Sequence, residues 1–258
     1  MQTDIGVKNK IVVITGGARG IGLAIAEAFL RHGASVHVVD LNPGEELRRI
    51  RGVGPLFSHE GDVTSVASTQ AYTDAVVSAS GRIDVLVNCA GVIYKNLVEN
   101  LELESWQRVI DINLTGTMLS ARAVVPIMKK NHWGRIINLS SMQAMMGTPQ
   151  YSAYTASKAA VIGLTRVWAM ELASFNITVN ALCPSFVRTP LLEKAIATLR
   201  DKECLSEGEA RDRFLNQVPQ RRFLEPEEIA FSALFLSSEL AGGITGSSIA
   251  IAGGCVLY

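Results

Sequence analysis

A chain of 258 residues, 48% of them hydrophobic and 19% charged, has enough apolar material for a sizeable core and is too apolar for an extended disordered protein. Its 24 basic and 24 acidic residues cancel, so nothing favours a nucleic acid or an anionic membrane as partner, and an anionic ligand has to be held locally. The four cysteines (Cys89, Cys183, Cys204, Cys255) form no CxxC pair and no metal-ligand cluster, which suits a reducing compartment. With no apolar run of ~18 residues and no basic-then-apolar start, the expectation is a cytoplasmic protein.

The chain opens with KIVVIT (Lys10–Thr15), a β-branched run typical of a buried parallel strand. GGARGIG follows, and then a helical pattern that stops at Gly33. Strand, glycine turn and helix form the setting in which Gly16, Gly20 and Gly22 let a backbone approach a pyrophosphate at a helix N-terminus. SVHVVD (Ser35–Asp40) is the next strand and ends in an acid placed to bind both adenosine ribose hydroxyls. That carboxylate repels a 2′-phosphate, whereas Arg19 inside the turn can pair with one. Asp40 weighs more, so the expected cofactor is NAD, with NADP second.

Strands and helices then alternate. The pattern predicts a helix over Asn42–Ile50, a strand over Gly54–Glu60 and a helix over Ser65–Ser80. Asp62 and Val63 close the third strand where a carboxylate can meet the adenine amino group. IDVLVNCAG (Ile83–Gly91) is a buried strand whose Ala90 and Gly91 let a cofactor pass close to the backbone. A long helical tract, Leu103 to Lys130, contains Asn113, a polar residue that has to satisfy its amide or kink the helix.

The chemistry concentrates between Ser140 and Lys158. Tyr154 and Lys158 are four residues apart, on one face of a helix, and Ser141 follows the strand-like RIINLS. A phenol beside an ammonium suits proton transfer to or from a carbonyl oxygen, with the ammonium expected to bring the phenol below its usual value of about 10. The serine hydroxyl can hold the substrate oxygen while charge develops on it. Beyond lie a strand and loop at Asn176–Pro190, a polar helical tract to Phe223, a helix over Glu225–Ser237 and a last strand in Ile244–Gly254. This alternation predicts one α/β domain over residues 1–258, a doubly wound parallel sheet flanked by helices, with a lid at about 189–223.

These residues together resemble the short-chain dehydrogenase/reductase family in its single-domain form: TGGARGIG at 15–22, Asp40, Asp62–Val63, NCAG at 88–91, Asn113, Ser141, Tyr154 with Lys158, and PSFVRTP at 184–190. The resemblance implies a Rossmann-type sheet of seven parallel strands, usually a homotetramer. It implies Tyr154 as acid/base, Ser141 on the substrate oxygen, Lys158 on the nicotinamide ribose, and Asn113 holding a water. It extends the cofactor set to Ile21, Leu41, Asn88, Val187 and Thr189, the last two at the carboxamide. By position it puts Gln143, Tyr151, Tyr94 and Phe186 around the substrate. Cys89, Ser185 and Ala252 depart from the family pattern at a second Asn, a Gly and an acid respectively, and none touches the relay.

The expected activity is therefore NAD-dependent interconversion of a secondary alcohol and a ketone, or of a sugar lactol and lactone, on a sugar, polyol or small hydroxy acid. Lid arginines (Arg188, Arg200, Arg211, Arg213, Arg221, Arg222) either clamp an anionic group or solvate the lid. Two alternatives stand: an NADPH-dependent 3-oxoacyl-(acyl-carrier-protein) or related carbonyl reductase, which Arg19 permits, and a non-catalytic nucleotide-sensing homologue, which the intact Ser141–Tyr154–Lys158 set opposes.

Overall fold

The computed structural model describes residues 6–256; the ends of the 1–258 range expected as one domain lie outside the described residues. Seven strands run β1 (Ile11–Thr15), β2 (Ser35–Asp40), β3 (Leu56–Glu60), β4 (Val85–Asn88), β5 (Gly134–Leu139), β6 (Ile177–Pro184) and β7 (Ser248–Ile251). They pair in parallel in the order β3-β2-β1-β4-β5-β6-β7. This is a Rossmann-type sheet, as the alternation of elements predicts. Every residue of β1, β4, β5 and β6 is buried, which explains their near-continuous apolar character, and the edge strands β3 and β7 are partly open.

Helices cover both faces. One core packs α1 (Gly20–Arg31) and α9 (Pro226–Ser237) on the sheet through Ile25, Phe29, Ile229 and Leu234. The other packs α3 (Val66–Ser80), α5 (Gly116–Asn131) and α6 (Ser152–Leu172) through Tyr72, Val76, Val124, Met128 and Leu172. Ser65 caps α3 with its hydroxyl on the Ser68 amide.

One expectation is corrected. The helix expected over Asn42–Ile50 shrinks to α2 (Glu45–Arg49), because Pro43 disfavours helical backbone at Asn42 and Gly44 serves as N-cap. The tract Leu103–Lys130 is helical throughout, as expected, with a π-helical turn at Asp111–Thr115 that contains Asn113 between α4 (Leu103–Ile110) and α5. The polar tract after β6 folds as α7 (Pro190–Glu203) and α8 (Glu207–Leu215), whose Leu192, Ile196, Ala210 and Phe223 form a small core of their own.

β1, β4, β5 and β6 all end on one side of the sheet. Chain order reverses between β1 and β4, so a crevice opens beyond their carboxyl ends, the usual ligand position in such sheets.

Candidate active site

The turn after β1 is built for close backbone approach. Gly16 has φ +66°, and a Cβ there would stand 2.6 Å from the Ala90 Cα at the end of β4. A Cβ on Gly22 would overlap the Gly16 carbonyl oxygen. The N-cap of α1, Arg19, makes no side-chain capping bond, and the first turn holds no acid. The positive end of α1 is thus uncompensated and lined by glycine, which fits a pyrophosphate. Arg19 and Leu41 are exposed. Asp40 is half-buried; its Oδ2 accepts from the Ala18 amide at 3.2 Å and its Oδ1 from the Asn42 amide at 3.3 Å. Asp62 Oδ1 accepts from the Thr64 amide and hydroxyl, and Val63 is buried beside it. These residues fit a nicotinamide dinucleotide laid across the crevice.

Asn88 has a structural task as well. Its Nδ2 donates to Asn138 Oδ1 at 2.9 Å, and Asn138 Nδ2 donates to Thr165 Oγ1 at 2.9 Å, so one buried chain of amides ties β4, β5 and α6 together. Ser140, at the end of β5, donates through Oγ to the Lys158 carbonyl at 2.8 Å. Both links fix α6, and with it Tyr154 and Lys158, against the strand end that presents Ser141.

A cavity of about 540 Å³ opens there, lined by Ser141, Gln143, Tyr151, Tyr154, Lys158 and Phe186 among others. Ile21, Gly91, Val187 and Thr189 join its cofactor side. Tyr154 is half-buried in the wall of this cavity. Burial pushes the phenol up to about 12, against the hydrogen bond from Ser141 that lowers it. Lys158 is 5% exposed, and burial pushes its ammonium down to about 8, opposed by the thiols of Cys89 and Cys183. The expectation that Lys158 brings the phenol below its usual value is therefore overturned for the protein alone. Its Nζ donates to the Leu139 carbonyl at 2.6 Å and sits 5.8 Å from the Tyr154 ring centroid, so desolvation outweighs attraction.

Asn113 is fully buried, and its side chain is engaged. Oδ1 accepts from the Val92 amide at 2.8 Å, and Nδ2 donates to the Val92 carbonyl at 3.0 Å and to Ser157 Oγ at 3.1 Å. Its backbone carbonyl accepts from Thr117 Oγ1 at 2.8 Å, and both its oxygens keep a lone pair that a water could use. Thr189 caps α7 and meets the glycine turn, since a Cβ on Gly20 would lie 3.4 Å from its Cγ2.

Of the residues expected around the substrate, Gln143, Tyr151 and Phe186 reach the cavity and Tyr94 does not. The Tyr94 hydroxyl instead accepts from Asn96 Nδ2 at 3.1 Å and from the Glu102 amide at 3.2 Å, bracing its own loop. Gln143 is 7% exposed, and its Oε1 has no hydrogen-bond partner among the described residues. The lid arginines are engaged elsewhere: Arg188 with Glu225, Arg200 with Asp201, Arg211 with Glu193 and Glu207, Arg213 with Glu203, Arg222 with Glu228, and Arg221 with Asn216. The cations that reach the cavity, besides Lys158, are Lys95, Lys194 and Lys202. Sequence reasoning missed them, although Leu191, Lys194, Ala195, Thr198 and Lys202 recur at helical spacing and mark one face of α7.

Among the described residues no group of three or more His, Cys, Asp or Glu is placed to hold a metal ion, and no helix is long and apolar enough to cross a membrane. A glycine turn aimed at a dinucleotide, set beside a hydroxyl, a phenol and an ammonium at the strand ends, defines the class of nicotinamide-dependent oxidoreductases. The protein-family profile described as enoyl-(acyl carrier protein) reductase matches residues 16–256. The chain is 34% identical over 256 residues to D-beta-hydroxybutyrate dehydrogenase of Rhizobium meliloti, covering 95% of this chain and 98% of that one. It is 38% identical over 255 residues to D-threitol dehydrogenase of Mycolicibacterium smegmatis, with 97% and 94% covered. The 3-oxoacyl-(acyl-carrier-protein) reductase of Thermotoga maritima is 39% identical over 255 residues, with 97% and 99% covered. Among solved structures, ligand-free aldohexose dehydrogenase of Thermoplasma acidophilum superposes with a TM-score of 0.88 at 34% identity, covering 96% of this chain and 94% of that one. The chain belongs to the short-chain dehydrogenase/reductase family and is an oxidoreductase of CH–OH groups that uses a nicotinamide cofactor.

Proposed function

We propose that this protein is an NAD-dependent dehydrogenase that interconverts a secondary alcohol and a ketone, or a sugar lactol and lactone, on a small polar substrate such as a sugar, polyol or hydroxy acid. The carrying observation is the Ser141–Tyr154 hydroxyl pair beside buried Lys158, all lining one cavity of about 540 Å³. When bound, the nicotinamide supplies the hydride acceptor or donor. Tyr154 Oη gives its proton to the carbonyl oxygen in reduction and, once deprotonated, takes the alcohol proton as the phenolate in oxidation. Ser141 Oγ donates to the substrate oxygen as charge builds on it. Lys158 keeps positive charge beside the phenol and is placed to hold the nicotinamide ribose, with Asn113 fixing the adjoining backbone. Gln143, Tyr151 and Phe186 face the substrate. The glycines Gly16, Gly20 and Gly22 with Ile21 take the pyrophosphate; Asp40 and Leu41 take the adenosine ribose; Asp62 and Val63 take the adenine. Asn88, Ala90, Gly91, Val187 and Thr189 complete the nicotinamide side.

The rest of the reading is of a single domain over residues 1–258, with a lid at about 189–223, acting as a cytoplasmic homotetramer. Asp40 supports NAD, because a carboxylate at the end of β2, held by the Ala18 and Asn42 amides, would repel a 2′-phosphate. Exposed Arg19 favours a second reading, an NADPH-dependent carbonyl reductase. Steady-state kinetics over a panel of polyols, sugars and hydroxy acids with both cofactors tests the proposal. Wild type should favour NAD by at least ~10-fold in kcat/KM, about 1.4 kcal/mol. Tyr154→Phe should lose at least ~10² in turnover while still binding NAD. Preference for NADP selects the second reading, and near-full activity of Tyr154→Phe removes the relay.

A further inference from the structure

The cavity is charged although the chain is not. Lysines 95, 158, 194 and 202 line it, and among the described residues no aspartate, glutamate or arginine does, in a chain whose 24 acids balance its 24 bases. The lid segregates its charges by face. On α7, Leu191, Lys194, Ala195, Thr198, Leu199 and Lys202 face the cavity. Its Glu193 pairs away with Arg211, Arg200 with Asp201, and Glu203 with Arg213. Across the cavity, Lys95 Nζ lies 4.7 Å from the Tyr151 ring centroid. Among the described residues no carboxylate lies within ion-pair distance of Lys95, Lys194 or Lys202. A concave site with one sign of charge and apolar walls concentrates the opposite charge. Gln143 adds a second, independent sign of a ligand: a buried amide oxygen without a partner, on the wall between Ser141 and Tyr151.

We propose that the substrate carries an anionic group, a carboxylate or phosphate, at the end remote from the reacting carbinol, held by Lys194 and Lys95 with Lys202 at the mouth. The proposal rests on the reading of this cavity as the substrate site and narrows its sugars, polyols and hydroxy acids to the acids and the phosphorylated forms. Lysine suits this task. Its ammonium is a point charge on a flexible stem that tolerates substrates of different length, where arginine would demand one bidentate geometry. The arginines that could have served are already paired, Arg221 with Asn216 and the others with acids of the lid or of the start of α9, so the cations left for the ligand are lysines.

The experiment compares charged and neutral partners of one shape. Oxidation of 3-hydroxybutyrate is measured against 3-hydroxybutyramide, and of glycerol 3-phosphate against glycerol. In at least one pair the charged member should lead by about 10-fold in kcat/KM, with the lead narrowing as salt screens it. That pair identifies the anion as carboxylate or phosphate. Lys194→Gln and Lys95→Gln, both at exposed lysines, should each cut the charged-to-neutral ratio by about 5-fold, the upper range for an exposed ion pair, and chiefly through KM. Lys130→Gln, an exposed lysine outside the cavity, should leave the ratio as it is. Binding of butyrate and butyramide to the enzyme–NAD complex is read by calorimetry without turnover, so the inference is decided even if the panel is not oxidised. Lysine-dependent preference for butyrate supports it. Equal kcat/KM within both pairs overturns it, as does equal binding of butyrate and butyramide. A loss of NAD affinity in Lys194→Gln with the ratio unchanged overturns it too, and assigns the lysines to the cofactor.

Discussion

Lys158 illustrates how a functional residue works against the fold that holds it. An unfolded lysine keeps its proton to about 10.5, whereas in the structure burial brings the ammonium down to about 8. Between those two values the unfolded chain binds more protons than the folded one, so stability rises with pH across that window. Below it the buried charge carries its full cost, on the order of 3 kcal/mol for a shift of this size. The bond to the Leu139 carbonyl offsets part of that. Lys158→Met should therefore raise the unfolding free energy at pH 7 by roughly 1–3 kcal/mol while abolishing most activity, a stability–function trade at one atom. Chemical denaturation of both proteins from pH 7 to pH 10.5 checks this, with the variant's advantage shrinking as pH rises. A variant less stable at pH 7 would show that the hydrogen bond outweighs the desolvation. Tyr154 carries the same lesson with the opposite sign. Its spacing from Lys158 is plain in the sequence, but the phenol's value depends on where Nζ points, and Nζ points at Leu139.

At the scale of elements, the strands were the most legible parts. KIVVIT, SVHVVD and IDVLVN show in their β-branched content that both faces are covered. The glycine turn was equally legible, because Gly16 and Gly22 meet backbone that excludes any Cβ. The π turn at Asp111–Thr115 was not, since its residues have ordinary helical character and the extra residue per turn is set by tertiary bonds. Those bonds belong to Asn113, which joins the loop after β4 to α6 one residue before Lys158. Asn113→Ala removes three hydrogen bonds, one buried and two part-buried, and leaves both polar groups of Val92 without this partner. A loss of about 3 kcal/mol follows at ~1 kcal/mol per bond. Activity should fall with it, as α6 loosens around the relay. Thermal unfolding with parallel kinetics reads both, and full stability in the variant would mean that water replaces the amide at no cost. The lid was legible as helical but not in its pairings. Which of Arg211 or Lys194 turns inward depends on packing between α7 and α8, which periodicity within one helix does not contain.

For the whole molecule, helices on both faces of the sheet expose large apolar side chains among the described residues. On the face that carries α9, Phe231 is 65% exposed, and Phe235, one turn on, and Leu240 are exposed with it. On the opposite face, Met170 of α6 is 84% exposed beside Val167, with Leu103 at the start of α4 also open. Large apolar side chains at helical spacing on a surface mark association more than chance exposure. Because the patches lie on opposite sides of the sheet, one copy cannot cover both. Two different two-fold contacts would cover both, which is the arrangement of a closed tetramer. This is the physical support for the homotetramer proposed above. Sedimentation velocity should give wild type the mass of four chains. Phe231→Asp places an unpaired carboxylate in one contact and should leave dimers held by the α6 side. Met170→Asp should leave dimers held by the α9 side, and the double variant should sediment as single chains. A wild-type protein with the mass of one chain defeats the scheme, and a single variant that keeps four chains shows that its patch faces water.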